Sequence, residues 1–389
     1  MEHSPVIFSI FLIFAGAAVF ATIALFARQA LIVAYIVLGA VLGPWGTGLV
    51  DDPSWIEDVS EIGIMFLLYL LGLNMLPQQL WKMLGEALVV TFLSCTAFTL
   101  IGVIIAHLFG FQWHEAALIG GTMMFSSTII ALKLLPTTAL HHKHTGQVII
   151  SVLLLQDLIA IIVMLIIQGY GTGEDPLIGV AKQIMFLPVL IAIAYVLERW
   201  LVEPLIARFD QIQEYIFLLV IAWCLSIAEL ASVFGLSHEI GAFIAGVTLA
   251  SCPVSMYIAD SLRPLRDFFL VLFFFSLGAA FDPAMLKIVL FPGLVLAAVM
   301  ILAKPLIFRF LLVRAGEGPQ ISLEIGTRLG QVSEFSLLIA VLAFESGYIR
   351  AQASYVIQLA TLITFLASSY WIVMRYPTPI AVSDRLRRD

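Results

Sequence analysis

VIISVLLLQDLIAIIVMLII, residues 148–167, is an apolar run with a single ionisable side chain, Asp157, at its centre, preceded by Gln156. About 20 apolar residues suffice for a helix to cross a bilayer. An ionised side chain at mid-depth costs on the order of 3 kcal/mol on insertion scales, so it persists only where it faces protein interior or a wet cavity. A buried carboxylate that can hold either a proton or a metal cation is the minimum equipment of an ion-coupled transporter. This stretch therefore predicts an all-α membrane protein with Asp157 as its ion- and proton-binding residue.

The rest of the chain agrees with a membrane reading. Its 389 residues are 62% hydrophobic and 12% charged, and the mean hydropathy is +1.08, which excludes an ordinary soluble domain. The net charge of −7 carries little information, because in a membrane protein the division of charge between the two faces matters more than its sum. Nothing points to nucleic-acid binding. Cys95, Cys224 and Cys252 lack metal-type spacing and read as core residues. The first apolar run, Pro5 to about Ala27, has no basic flank and is too long for a signal-peptide core, so it is expected to remain as a span.

Reading every such run as a spanning helix gives thirteen candidates: 5–27, 30–49, 58–76, 85–109, 115–135, 146–168, 179–197, 213–234, 236–251, 264–281, 285–313, 320–346 and 352–374. An odd number puts the termini on opposite sides. One set of loops carries Arg28, Lys82, Lys143, Arg199, Arg208, Arg263, Arg266, Arg309, Arg314 and the basic tail, and the alternate set carries Asp51, Asp52, Glu57, Asp58, Glu115, Glu174, Asp175 and Asp282. By the positive-inside rule the first set is cytoplasmic, so the N-terminus is outside and the C-terminus inside.

Two spans are broken by small and polar residues. The fifth, GGTMMFSSTIIALKLLP, places Gly120, Gly121, Ser126, Ser127 and Thr128 at mid-depth; the twelfth, GTRLGQVSEFSLLIAVL, places Gly326, Arg328, Gly330, Gln331, Ser333 and Glu334 there. Irregular backbone at membrane depth is tolerated only when buried or lining a cavity, and matching breaks in two halves point to a transporter's site. A shift of 205 residues carries Ser127 onto Val332 and the sixth span onto the thirteenth. Spans four to six thus repeat as eleven to thirteen, in opposite membrane orientation, and two crossed half-helix pairs would present their ends beside Asp157.

LLLQDLIAI, with the SST break before it and FFFSLGAAFD (273–282), the Lys304 span and GQVSEFSLL (330–338) after it, resembles the monovalent cation:proton antiporter-2 family. Gln-Asp rather than Asn-Asp or Asp-Asp is similar to its Kef-type potassium:proton branch. The resemblance implies a NhaA-like fold filling residues 1–389. Within it, 85–168 and 285–375 would form the core translocation bundle, 5–76 and 213–281 the scaffold and dimerisation helices, and 179–200 a linker helix. It implies a homodimer in the bacterial inner membrane, moving by an elevator-like alternation. Potassium or sodium and protons would be its only ions, with no cofactor. It assigns the ion site to Asp157, Gln156, Ser126, Ser127 and Thr128, the membrane lysine to Lys304, and the second break to Gln331, Ser333 and Glu334. Kef proteins also carry a cytoplasmic nucleotide-binding domain, and none is expected within residues 1–389. The stretch 259–269, ADSLRPLRDFF, resembles their regulatory loop, a contact for a separate cytoplasmic subunit or simply a basic interfacial loop.

Each residue has a plainer reading. Gln156 either ligates the cation or hydrogen-bonds a half-helix end. Lys304 is either a counter-ion to Asp157, which we favour, or a snorkelling side chain. Arg328 and Glu334 are expected to neutralise one another across the break. His141, His142, Lys143 and His144 read as a solvated loop, and GYGTGE (169–174) has Glu174 where a dinucleotide fingerprint needs glycine. Competing functions are a sodium:proton antiporter of the same fold, a potassium channel-like permease, for which no TVGYG-like filter exists, and an intramembrane protease, for which Ser126 and Ser127 have no histidine in a partnering span.

Overall fold

A computed structural model describes residues 5–27, 29–50, 54–74, 77–134, 144–170 and 176–378. His141 to Lys143, the acidic loop residues Asp51, Asp52, Glu174 and Asp175, and the basic tail beyond residue 378 lie outside them. The regular elements are helices: α1 (Pro5–Phe26), α2 (Leu31–Leu42), α3 (Ser54–Asn74), α4 (Pro77–Leu108), α5 (Trp113–Met123), α6 (Thr128–Lys133), α7 (His144–Tyr170), α8 (Pro176–Leu197), α9 (Glu203–Phe209), α10 (Gln213–Val233), α11 (His238–Leu249), α12 (Ser255–Ala279), α13 (Pro283–Arg314), α14 (Pro319–Arg328), α15 (Glu334–Glu345) and α16 (Ala351–Arg375). A π-helical turn, Glu198–Val202, joins α8 to α9.

Among the described residues each of the thirteen apolar runs contains helix, and seven of the described helices are long and apolar enough to cross a membrane. The fifth and twelfth runs are each split in two. The first split falls at residues 124–127 and the second at 329–333. Gly120 and Gly121, expected within the break, are helical, and so is Gly326, whereas Gly330 lies in the second break with Gln331 and Ser333 as expected. The stretch 259–269 is also helical rather than a loop. It lies inside α12, where Asp260 and Arg263 pair at 3.1 Å one turn apart.

The chain divides into two compact units. Unit 1 comprises 1–17, 35–82 and 165–280. In it α3 packs along α11 and α12, over a core that includes Tyr69, Ile227, Ile240 and Leu262. Unit 2 comprises 18–34, 83–164 and 281–389. Its two halves run through the same elements in the same order, a long helix, a split helix and another long helix. The last residue of α5, Met123, and that of α14, Arg328, are 205 positions apart, as are the last residues of α7 and α16. Both α4 and α13 have 32 residues.

Within unit 2 the close approach of α4 to α5 depends on glycine. A Cβ at Gly120 would lie 2.4 Å from the Thr99 carbonyl oxygen and 2.6 Å from Val103 Cγ2, and one at Gly102 would lie 2.6 Å from the Gly120 Cα. Overpacking of this kind costs about 1–3 kcal/mol. Gly120→Ala is therefore expected to lower the thermal midpoint of the detergent-solubilised protein, while Gly121→Ala, where an added Cβ meets nothing within 4 Å, leaves it unchanged. Equal midpoints for both variants would mean that the helices give way at no cost.

Candidate ion-binding site

Interrupting a helix frees backbone groups that must find partners, because an unpaired buried polar group costs about 1–3 kcal/mol. At the first break Gln156 supplies them. Its Oε1 accepts from the Ser126 backbone N–H at 2.9 Å, and its Nε2 donates to the Met124 carbonyl at 3.1 Å and to Cys95 Sγ at 3.9 Å. Ser127 restarts the helix: its Oγ accepts from the Ile130 N–H at 3.1 Å, the ordinary N-cap arrangement. Of the two roles open to Gln156, holding the half-helix ends is the one its geometry performs, and its carbonyl oxygen is engaged there.

Asp157, one residue further along α7, is 1% exposed. Thr128 Oγ1 donates to its Oδ2 at 3.0 Å. Its Oδ1 is buried and has no hydrogen-bond partner among the described residues. A buried carboxylate with one oxygen anchored and the other without a hydrogen-bond partner can take up a proton or a hard cation. Glu334, which the sequence placed in the second break, is a second buried acidic group, 3% exposed at the start of α15.

The second break mirrors the first. Ser333 caps α15, its Oγ accepting from the Phe335 N–H at 3.1 Å, and Thr364 Oγ1 on α16 accepts from the Val332 N–H at 3.0 Å. Gln331 ties the two breaks together: its Nε2 donates to the Ser127 carbonyl at 3.3 Å, and its Oε1 accepts from Ser368 Oγ at 2.9 Å. Ser126 Oγ donates to the Leu329 carbonyl at 2.9 Å, and Ser336 Oγ to the Thr122 carbonyl at 2.6 Å.

Two expected ion pairs do not form. Lys304, fully buried on α13, donates to the carbonyls of Phe125 and Gln331 at 2.6 and 3.0 Å and to Ser126 Oγ at 3.2 Å, and Asp157 is not among its partners. Phe125 and Gln331 lie just beyond the C-terminal ends of α5 and α14, where helix dipoles gather negative charge. The ammonium thus neutralises two helix ends at once, an arrangement the Asp157 counter-ion reading did not foresee. Its charge also lies 5.4 Å from the centroid of Phe98. Arg328 likewise does not reach across the break to Glu334. It pairs with Glu324 one turn earlier, at 2.9 and 3.0 Å, and donates to the carbonyls of Leu134 and Pro377 at 2.9 Å each. As the last residue of its helix segment, Arg328 projects back along α14, so the i−4 carboxylate is the nearer acid.

The sequence reading missed Cys95, Thr364 and Ser368. The signal for the last two is in the thirteenth span, where Gln358, Thr361, Thr364 and Ser368 recur every three or four residues and all are buried; a polar stripe on one face of an apolar helix marks a neighbour with backbone groups to satisfy. Cys95 carried no such mark.

Known proteins resemble this chain in sequence and fold. The sequence profile of the family described as Sodium/hydrogen exchanger, transmembrane, matches residues 10–374. The glutathione-regulated potassium-efflux system protein KefC of Klebsiella aerogenes is 30% identical over 289 residues, which are 71% of this chain and 46% of that protein. The iron transporter MagA of Paramagnetospirillum magneticum is 24% identical over 371 residues, 95% of this chain and 86% of its own. The chain thus spans about half the length of the KefC relative. In structure, the sodium proton antiporter MjNhaP1 of Methanocaldococcus jannaschii matches with a TM-score of 0.70 at 18% identity, covering 93% of this chain and 94% of that one, which shows a common fold.

Proposed function

Because the chain belongs to the transmembrane sodium/hydrogen exchanger family of cation:proton antiporters, we propose that it exchanges a monovalent cation, potassium in first place, for protons at Asp157. Members of this family are multi-pass membrane transporters rather than enzymes, and the exchanged ions are the only non-protein species the cycle requires. The observation that carries the assignment to Asp157 is its open, buried Oδ1 beside an Oδ2 held by Thr128. Thirteen spans with the N-terminus outside, two crossed split helices, a homodimer in the bacterial inner membrane, and unit 2 as the body that moves in an elevator-like cycle complete the proposal. A regulatory subunit or domain on the cytoplasmic side is proposed from the likeness to KefC, which is named as glutathione-regulated.

Potassium is favoured by the KefC relative. Sodium is the second reading, supported by the structural likeness to a sodium proton antiporter. Gln156 does not decide between them as a direct ligand, since its oxygen is held by Ser126. The test is exchange in proteoliposomes with potassium, sodium and lithium compared across pH.

One carboxylate cannot hold a proton and a cation together. The apparent affinity for the cation is therefore expected to weaken as pH falls, because protonation removes the charge that binds it. Cation titrations at a series of pH values check this. An affinity independent of pH, over a range in which the carboxylate changes protonation, would rule out a single shared site.

A further inference from the structure

Two arginines join the ends of the split helix α5–α6 to the ends of α16. At the start, Glu115 on α5 is fully buried, and its carboxylate accepts three bonds from Arg350, the residue preceding α16. These are 2.8 Å from Nε and 3.1 Å from the backbone N–H to Oε1, and 2.6 Å from an Nη to Oε2. At the finish, Arg328 donates to the carbonyl of Leu134, just after α6, and to that of Pro377, just after α16, with its guanidinium 5.6 Å from the centroid of the Tyr376 ring. The split helix and α16 therefore run side by side in the same direction, fastened at both ends.

An unbroken helix keeps its length through its own hydrogen bonds. A split one does not: residues 124–127 make no continuous ladder, and the separation of α5 from α6 is set by whatever holds their outer ends. We infer that α16 is a splint for the split helix, and that Glu115, Arg350 and Arg328 are positioning residues that hold Thr128 in register with Asp157. Bidentate Arg–carboxylate geometry suits this role, because the planar fork fixes direction as well as distance. The inference rests on the reading of Asp157 as the exchange site.

The experiment is potassium-dependent exchange by the purified chain in proteoliposomes, with KM and maximal rate measured separately. Three proteins are compared with the parent: Arg350→Lys, which keeps the charge and loses the fork; Glu115→Gln with Arg350→Gln, which removes the buried charge together with its partner; and Arg328→Lys. A hydrogen bond to a charged group is worth about a tenfold change in affinity, so loosening the Thr128 contact to Asp157 is expected to raise KM roughly tenfold, with maximal rate little changed and the smallest effect in Arg350→Lys. A purely structural role would lower thermal stability and leave KM alone. Arg350 is 54% exposed and a lysine keeps a cation beside Glu115, so that variant is expected to fold, which its elution on size exclusion checks. The parental KM in folded Arg350→Lys and in the folded double variant would overturn the inference. Asp157→Asn in the same assay separates the two claims, since exchange at the parental rate there refutes the site itself, whatever the splint variants do.

Discussion

Asp157→Asn is expected to abolish antiport while leaving the protein folded. The amide is nearly isosteric with the carboxylate, and its oxygen can still accept the Thr128 hydroxyl now donated to Oδ2 at 3.0 Å, so the packing of α7 against the first break should persist. An amide neither takes up a proton at working pH nor offers a charge to a cation, and both half-reactions of the exchange stop together. Proton movement reported by an entrapped pH dye, driven by an imposed potassium or sodium gradient, should fall to the level of protein-free liposomes. Normal elution on size exclusion would show that the fold survives. Parental exchange rates in this variant would remove the central claim. Asp157→Glu should be milder, with activity reduced because one extra methylene in a packed site costs about 1–3 kcal/mol.

Substitution of Lys304 should act on stability and on charge movement, and the two effects separate. Three oxygens depend on its ammonium, and in Lys304→Met the two carbonyls among them lose a donor. At about 1–3 kcal/mol for each stranded group, a large drop in thermal midpoint is expected, smaller in Lys304→Gln, whose amide restores part of the donation. For charge movement, the contacts of Lys304 matter more than its depth. Its ammonium is held by three acceptors at two helix ends, and a cation arriving at Asp157 has no ammonium to displace. One proton is then expected to leave for each monovalent cation bound at Asp157, which makes the cycle electroneutral. Currents on solid-supported membranes after a potassium jump provide the measurement. A sustained current in the parent that vanishes in Lys304→Gln, with exchange preserved, would show that the lysine carries a second proton.

The bilayer made much of this protein legible from sequence. A lipid-exposed segment must satisfy its backbone internally and span roughly 30 Å, which leaves runs of about 20 apolar residues as the natural reading. That is why each of the thirteen runs contains helix among the described residues, and why polar clusters inside apolar runs, Ser126 to Thr128 and Gln331 to Glu334, signalled the two breaks. The same constraint made Asp157 conspicuous, since ionisable residues at that depth are rare.

Partnership was decided by the tertiary structure. Lys304 binds backbone carbonyls, and every residue has one, so no side chain in the sequence could announce Phe125 or Gln331 as its partners. Gln156 was left between two roles because its amide suits a cation or a helix end equally well; only the 2.9 Å approach of the Ser126 N–H assigns its oxygen. Arg328 had acids on both sides at comparable distance along the chain, and helical side-chain direction selected Glu324 over Glu334. Glu115 read only as an acidic loop charge, because its partner Arg350 stands 235 positions away in the chain. Charge and hydropathy along a chain specify which segments cross and which groups cannot be left unpaired, whereas the identity of each partner depends on angstrom-scale approach between backbones distant in sequence, which only packing supplies.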